Sequence, residues 1–154
     1  MIKKIIEQET KRFFKQIGTI ASYYVFLLLT LFFYAMGHKK LSLRLIVGFF
    51  IIEISITIIR FIYFKERPCK KPYSNIFEKI NASSFPSGHS SRIVFLMLNL
   101  ITLNNSLLFI SFCIIVMFLV TFSRYYNQRH YILDILGGYI LGFTVSAICF
   151  MIIL

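Results

Sequence analysis

His130 and Asp134 stand four residues apart, and Asp134 is the only aspartate in the chain. At the start of a helix, positions i and i+4 share one face. The carboxylate can then accept the Nδ1–H of the imidazole, fix its tautomer and leave Nε2 as a nucleophile or base. A second histidine, His89, closes the tetrapeptide Pro86-Ser87-Gly88-His89 just before a long apolar run. A turn leading into a helix there presents backbone N–H groups and the positive end of a dipole, which suit a phosphate. Gly88 permits close approach of the backbone, and Ser87 offers a hydroxyl. Arg60, Arg67 and Arg124 add planar forks matched to phosphate oxygens, and Arg92 follows one turn after His89. A nucleophile, an acid and an anion cradle are the parts of phosphoryl transfer. Each part also has a plainer reading. Asp134 can cap the last helix, Ser87 can cap an ordinary turn, and arginines can snorkel to headgroups. For Lys39, Lys40, Lys70 and Lys71 snorkelling suffices; the three arginines lie at fixed offsets from the other motifs.

These residues need elements to hold them, and the composition says which. The chain has 154 residues, 58% hydrophobic and 15% charged, with a mean hydropathy of +0.77. Soluble domains hold about half their residues apolar and about a quarter charged. An all-α, polytopic membrane bundle follows, a single domain over residues 1–154. Ile17 to Gly37 is uncharged, as is Ile135 to Leu154, and Leu45 to Phe64 carries only Glu53 and Arg60. Each reaches the roughly 20 residues a bilayer requires. Ile93 to Ser123 is too long for one span, and Asn104 to Ser106 reads as a turn within it. The expectation is about five transmembrane helices, over 17–37, 43–64, 88–103, 106–124 and 131–154. The hairpin at 104–106 brings Arg60–Arg67, Pro86–His89 and Ser123–Asp134 to one membrane face.

The segment 65–88 is the one long connection, basic and proline-containing, and its backbone must lie outside the hydrocarbon. Basic residues there and in the amphipathic start, residues 1–16, favour a cytosolic face for both under the positive-inside rule. That start shows no cleavage site of a signal peptide. The net charge of +11 comes without a basic patch interleaved with exposed aromatics. Anionic headgroups or a phosphorylated lipid are therefore the expected partners, and nucleic acid is not. Cys69, Cys113 and Cys149 show no paired spacing and read as small packing residues.

Three motifs in order carry a resemblance. Arg60, six residues, Arg67-Pro68; Pro86 to His89; and Ser123-Arg124, five residues, His130, three residues, Asp134 together resemble the type 2 phosphatidic acid phosphatase superfamily. That family includes membrane lipid phosphatases and vanadium haloperoxidases. Its first motif begins with lysine where this chain has Arg60, which keeps the charge and changes the geometry. The motifs cover roughly half of the chain. The resemblance implies that His130 attacks phosphorus to give a phosphohistidine, oriented by Asp134. His89 would protonate the leaving oxygen and then assist water. Arg60, Arg67, Arg124, Ser87 and the Gly88 amide would hold the non-bridging oxygens. No metal and no cofactor are implied. The stretch Ser84–His89 followed by Arg92 is similar to the branch acting on polyisoprenoid and presqualene diphosphates, with Arg92 reaching a second phosphate. Phosphatidate or another lipid monophosphate is the competing substrate. In a eukaryote the setting implied is the endoplasmic reticulum membrane. A non-catalytic membrane protein and a lipid-phosphate transporter are the alternatives of another class.

The remaining features read as structure. Gly138 and Gly142, four apart on the last helix, suit close helix packing. Glu53 needs a partner within its span: Ser55, Asn99 or an arginine, unless it stays protonated. His38 falls outside every motif, in a solvated turn.

Overall fold

The structure, a computed structural model, describes residues 2–153. Its elements are α1 (Ile2–Ile17), a 3₁₀ turn (Gly18–Ala21), α2 (Tyr23–Ala35), α3 (Lys39–Ile62), α4 (Ile76–Ala82), α5 (Gly88–Ile101), α6 (Leu107–Tyr126) and α7 (Ile132–Ile152). Every regular element among the described residues is helical, with no strand.

The bundle is built around α5. At 14 residues it is only about 21 Å long at 1.5 Å per residue, shorter than the ~30 Å hydrocarbon layer. Its neighbours α3, α6 and α7 surround it, and Ile93, Val94, Phe95 and Leu96 are fully buried. Rings from three helices meet here, with Phe26 5.3 Å from Phe49 and 6.1 Å from Phe95. Gly48 makes room for Phe95, whose ring a side chain at that position would overlap. Small residues do the same on the other side: a Cβ on Gly142 would come within 2.7 Å of the Ser91 carbonyl oxygen.

Three helices, α3, α6 and α7, are long and apolar enough to cross a membrane. Large side chains such as Ile54, Ile58, Leu108, Phe118 and Ile140 point out of the bundle, as lipid-facing residues do. The chain is an integral membrane protein of the polytopic helical kind. By length and apolarity the described residues give three spans, or four with the bent pair Ile5–Ala21 and Tyr23–Ala35 taken as one, against the five expected, because α5 is too short. The turn expected between Asn104 and Ser106 is present: Asn104 Oδ1 accepts the Ser106 N–H, and Ser106 Oγ accepts the Phe109 N–H to cap α6.

Two expectations change. The first span is not one helix from 17 to 37. It breaks at Gly18–Ser22, and the segments Ile5–Ala21 and Tyr23–Ala35 meet at 45°. A break frees main-chain carbonyls that a continuous helix would use, and arginines take two of them. Arg124 Nη2 donates to Gly18 O at 2.8 Å, and Arg92 Nε donates to Ala21 O at 2.8 Å. The connection 65–88 is also not wholly irregular. Asn75 Oδ1 caps α4 by accepting the Glu78 N–H, and the Glu78 carboxylate accepts from Ser74 in return. These bonds satisfy donors at the start of a seven-residue helix. Cys113 and Cys149 are buried and Cys69 is exposed, all as free thiols.

Candidate active site

A cavity of about 440 Å³ opens at the end of the bundle where the three motifs meet. His89 from the first turn of α5 and His130 from the α6–α7 connection both line it. Arg60 near the end of α3, Arg67 from the following loop and Arg124 near the end of α6 stand around them. The hairpin of α5 and α6 is what returns Arg124 and His130 to the level of His89.

Each arginine is held by a main-chain carbonyl and keeps donors in reserve. Arg60 Nη2 donates to Pro86 O at 2.8 Å. Arg67 caps the C-terminus of α4, donating to the carbonyls of Ala82, Asn81 and Ser83. Arg124 is anchored on Gly18 O, as above. Among the described residues the buried Nε of Arg60 and of Arg124 has no acceptor. Buried N–H groups without acceptors are costly, and an anion supplies acceptors. Burial, with the charge of Arg129 next, lowers the affinity of Arg67 for its proton.

His130 is 3% exposed. Its Nδ1 lies 2.8 Å from Ser84 O. A carbonyl only accepts, so Nδ1 carries the proton and Nε2 holds a lone pair. The expected contact with Asp134 is corrected here: Asp134 Oδ2 is 3.9 Å from Nδ1, beyond hydrogen-bonding distance. That oxygen instead accepts the Tyr131 N–H at 2.8 Å, which caps α7. The other oxygen, Oδ1, accepts from Lys65 Nζ at 2.6 Å. Lys65 was not anticipated from the sequence, where it stood among generic loop cations. Burial pushes His130 down to about 3, helped by the positive charges of Arg67 and Arg60. An imidazole so placed stays neutral, which a nucleophile requires.

Ser87 and Arg92 also take other places than expected. Ser87 is fully buried, its Oγ accepting from Ser90 Oγ at 2.9 Å in the capping position of α5. It does not line the cavity, whereas Gly88 does. Arg92 is 2% exposed and engaged on three sides. Nε binds Ala21 O, Nη1 pairs with Glu53, and Nη2 lies 3.4 Å from His89 Nδ1. The Tyr23 ring covers the guanidinium at 4.2 Å, and the Tyr23 hydroxyl donates to Glu53. Glu53 thus has the arginine partner that its place in a span called for. Arg92 has little left for a second phosphate, because a charge this deep in the bundle needs its own counterion. Lys15, Lys71 and Arg129 also line the cavity, are exposed, and among the described residues pair with no carboxylate.

Gly138 sets how closely α7 approaches the His89 turn, since a Cβ there would be 2.6 Å from Ser87 O. Among the described residues no three His, Cys, Asp or Glu side chains converge as metal ligands would.

Residues 62–154, more than half of the chain, match the PAP2 superfamily. The fold is similar to that in the crystal structure of Aquifex aeolicus LpxE, with a TM-score of 0.77 and 20% sequence identity, over 92% of this chain and 86% of that one. No curated protein matches the sequence.

Proposed function

The chain belongs to the PAP2 superfamily, and from that membership and the site we propose a membrane lipid phosphatase that works through a phosphohistidine. The observation that carries the reading is that both imidazoles and three carbonyl-anchored arginines line one cavity. His130 Nε2 attacks phosphorus, and the ester oxygen leaves with a proton from His89. Water then attacks the phosphohistidine, its proton returns to His89, and inorganic phosphate departs with His130 restored. Arg60, Arg67, Arg124 and the Gly88 amide hold the non-bridging oxygens as their charge develops. The fixed carbonyl anchors support that role, because donors already oriented need no reorganisation at the moment of reaction.

For the substrate we favour a polyisoprenoid diphosphate at the cytosolic face, with Lys15, Lys71 and Arg129 taking the second phosphate in place of Arg92. The engagement of Arg92 by Glu53 favours the competing reading, a lipid monophosphate such as phosphatidate. Purified protein in detergent with EDTA is expected to release phosphate from farnesyl diphosphate faster than from phosphatidate. His130→Ala is expected to abolish release and still fold. Release by His130→Ala at the wild-type rate overturns the nucleophile assignment, and faster release from phosphatidate overturns the diphosphate reading. Binding of the phosphorylated lipid with no release by wild-type protein would identify a carrier instead.

A further inference from the structure

Asp134 brings a carboxylate to a position with no exposure at all. Its charge partner is Lys65, which reaches it from the loop after α3, 69 residues earlier in the chain. The Lys65 ammonium also sits 4.9 Å above the Tyr131 ring, beside His130 in sequence. Its main chain grips a second segment. Lys65 O accepts the Ser84 N–H at 2.8 Å, and the Lys65 N–H donates to Ser83 Oγ at 3.2 Å. The carbonyl of that same Ser84 receives the Nδ1–H of His130. A further tie closes the assembly, with the Ser87 N–H donating to Asp134 O at 2.9 Å.

We propose that Lys65 is a positioning residue for His130: it clamps the Ser84 carbonyl that sets the imidazole tautomer to the first turn of α7, where its ammonium neutralises Asp134. This rests on the phosphatase reading of His130. Asp134 then works as a cap and as the counterion of Lys65, and the tautomer of the nucleophile is set by the main chain. Among the described residues, Lys65 is the cation bonded to a carboxylate whose other hydrogen bond comes from the Tyr131 N–H. Removing the ammonium strands a buried negative charge at the helix start, and the first turn must move to hydrate it. That movement carries His130 with it.

The test compares Lys65→Met, Asp134→Asn and the double variant by steady-state kinetics on the lipid substrate and by 15N NMR of histidine-labelled protein in detergent, the His130 signals being identified by their loss in His130→Ala. Asp134→Asn is expected to keep the Nδ1–H tautomer and a kcat within about tenfold of wild type, because a carboxylate that directly orients a catalytic histidine is worth about 10⁴-fold. Lys65→Met is expected to lose about 10²-fold in kcat with KM little changed, the cost of a nucleophile displaced by about 1 Å. Adding Asp134→Asn to Lys65→Met is expected to recover at least about tenfold, since no charge is then stranded. A tautomer switch with a loss near 10⁴-fold in Asp134→Asn overturns the proposal, and so does wild-type kcat in Lys65→Met. Should Lys65→Met fail to fold, the tautomer in Asp134→Asn still decides between main chain and carboxylate. Wild-type protein silent on every phosphate ester sinks the phosphatase reading, while the NMR arm continues to judge the positioning.

Discussion

Gly138→Ala adds one methyl group and puts both stability and rate at risk. A carbon and a carbonyl oxygen settle at about 3.3 Å or more, whereas the new Cβ would lie 2.6 Å from Ser87 O and 2.7 Å from Ser90 Cβ. The shortfall is about 0.7 Å, and the Ser87 oxygen is main chain, so α7 and the first turn of α5 must part. Overpacking of this size costs about 1–3 kcal/mol, against which better helix propensity returns up to about 1 kcal/mol. The separation opens between Ser87, next to Gly88 and His89, and the helix that begins two residues after His130. Misplacing catalytic groups by about 1 Å can cost 10²-fold, so a loss of about 10- to 10²-fold in kcat is expected. Gly142→Ala is the comparison, because its Cβ would meet Ser91 O at 2.7 Å one turn further from the site. It is expected to destabilise as much and to slow catalysis less. Thermal unfolding in detergent and phosphate release from a lipid substrate read the two quantities separately. Wild-type kcat in Gly138→Ala, or an equal loss in Gly142→Ala, refutes the claim that this contact sets the spacing of the histidines.

Two further expectations concern charge. His130 is held near 3 in the folded protein and titrates at about 6.5 when unfolded, so the unfolded chain binds the extra proton as pH falls. Stability linked to His130 is complete above about pH 6.5 and declines below it, by about 2 kcal/mol at pH 5; the melting temperature of wild type should therefore fall relative to that of His130→Gln on going from pH 8 to pH 5, and a constant difference contradicts it. Glu53→Gln breaks the ion pair that anchors Arg92 and should lower stability by about 1.5–3 kcal/mol, with kcat reduced alike on lipid mono- and diphosphates. A change confined to KM for the diphosphate would instead assign Arg92 to the second phosphate.

The chemistry-bearing residues were legible because their types are expensive in a membrane. Arginines, histidines and a lone aspartate at the ends of apolar runs call for a shared reason, and the turn at Asn104–Ser106 brought them to one end. What could not be read was which acceptor each donor would find. Gly18 and Ala21 lie in a segment that reads as an ordinary span, and the arginines bound to their carbonyls lie 106 and 71 residues away. The local signals of that break, Gly18 and the Ser22 side chain that caps α2, are weak against the uncharged run around them. Glu53 was legible as a residue in need of a partner, and the choice of Arg92 among the arginines depended on how α3 packs against α5.

Asp134 shows why spacing alone misassigns a contact. The i, i+4 interval to His130 is correct, and the two side chains are neighbours. At the start of a helix, though, a carboxylate also faces the unpaired N–H groups of the first turn, and here the Tyr131 N–H takes Oδ2. Lys65 takes Oδ1. With both oxygens occupied, handing the imidazole proton to Asp134 would leave Ser84 O without its buried donor and gain no new acceptor. The main-chain carbonyl is therefore the better partner for Nδ1, and the tautomer that leaves Nε2 unprotonated is set by Ser84, whose own N–H is bonded to Lys65 O, and not by the carboxylate the spacing points to.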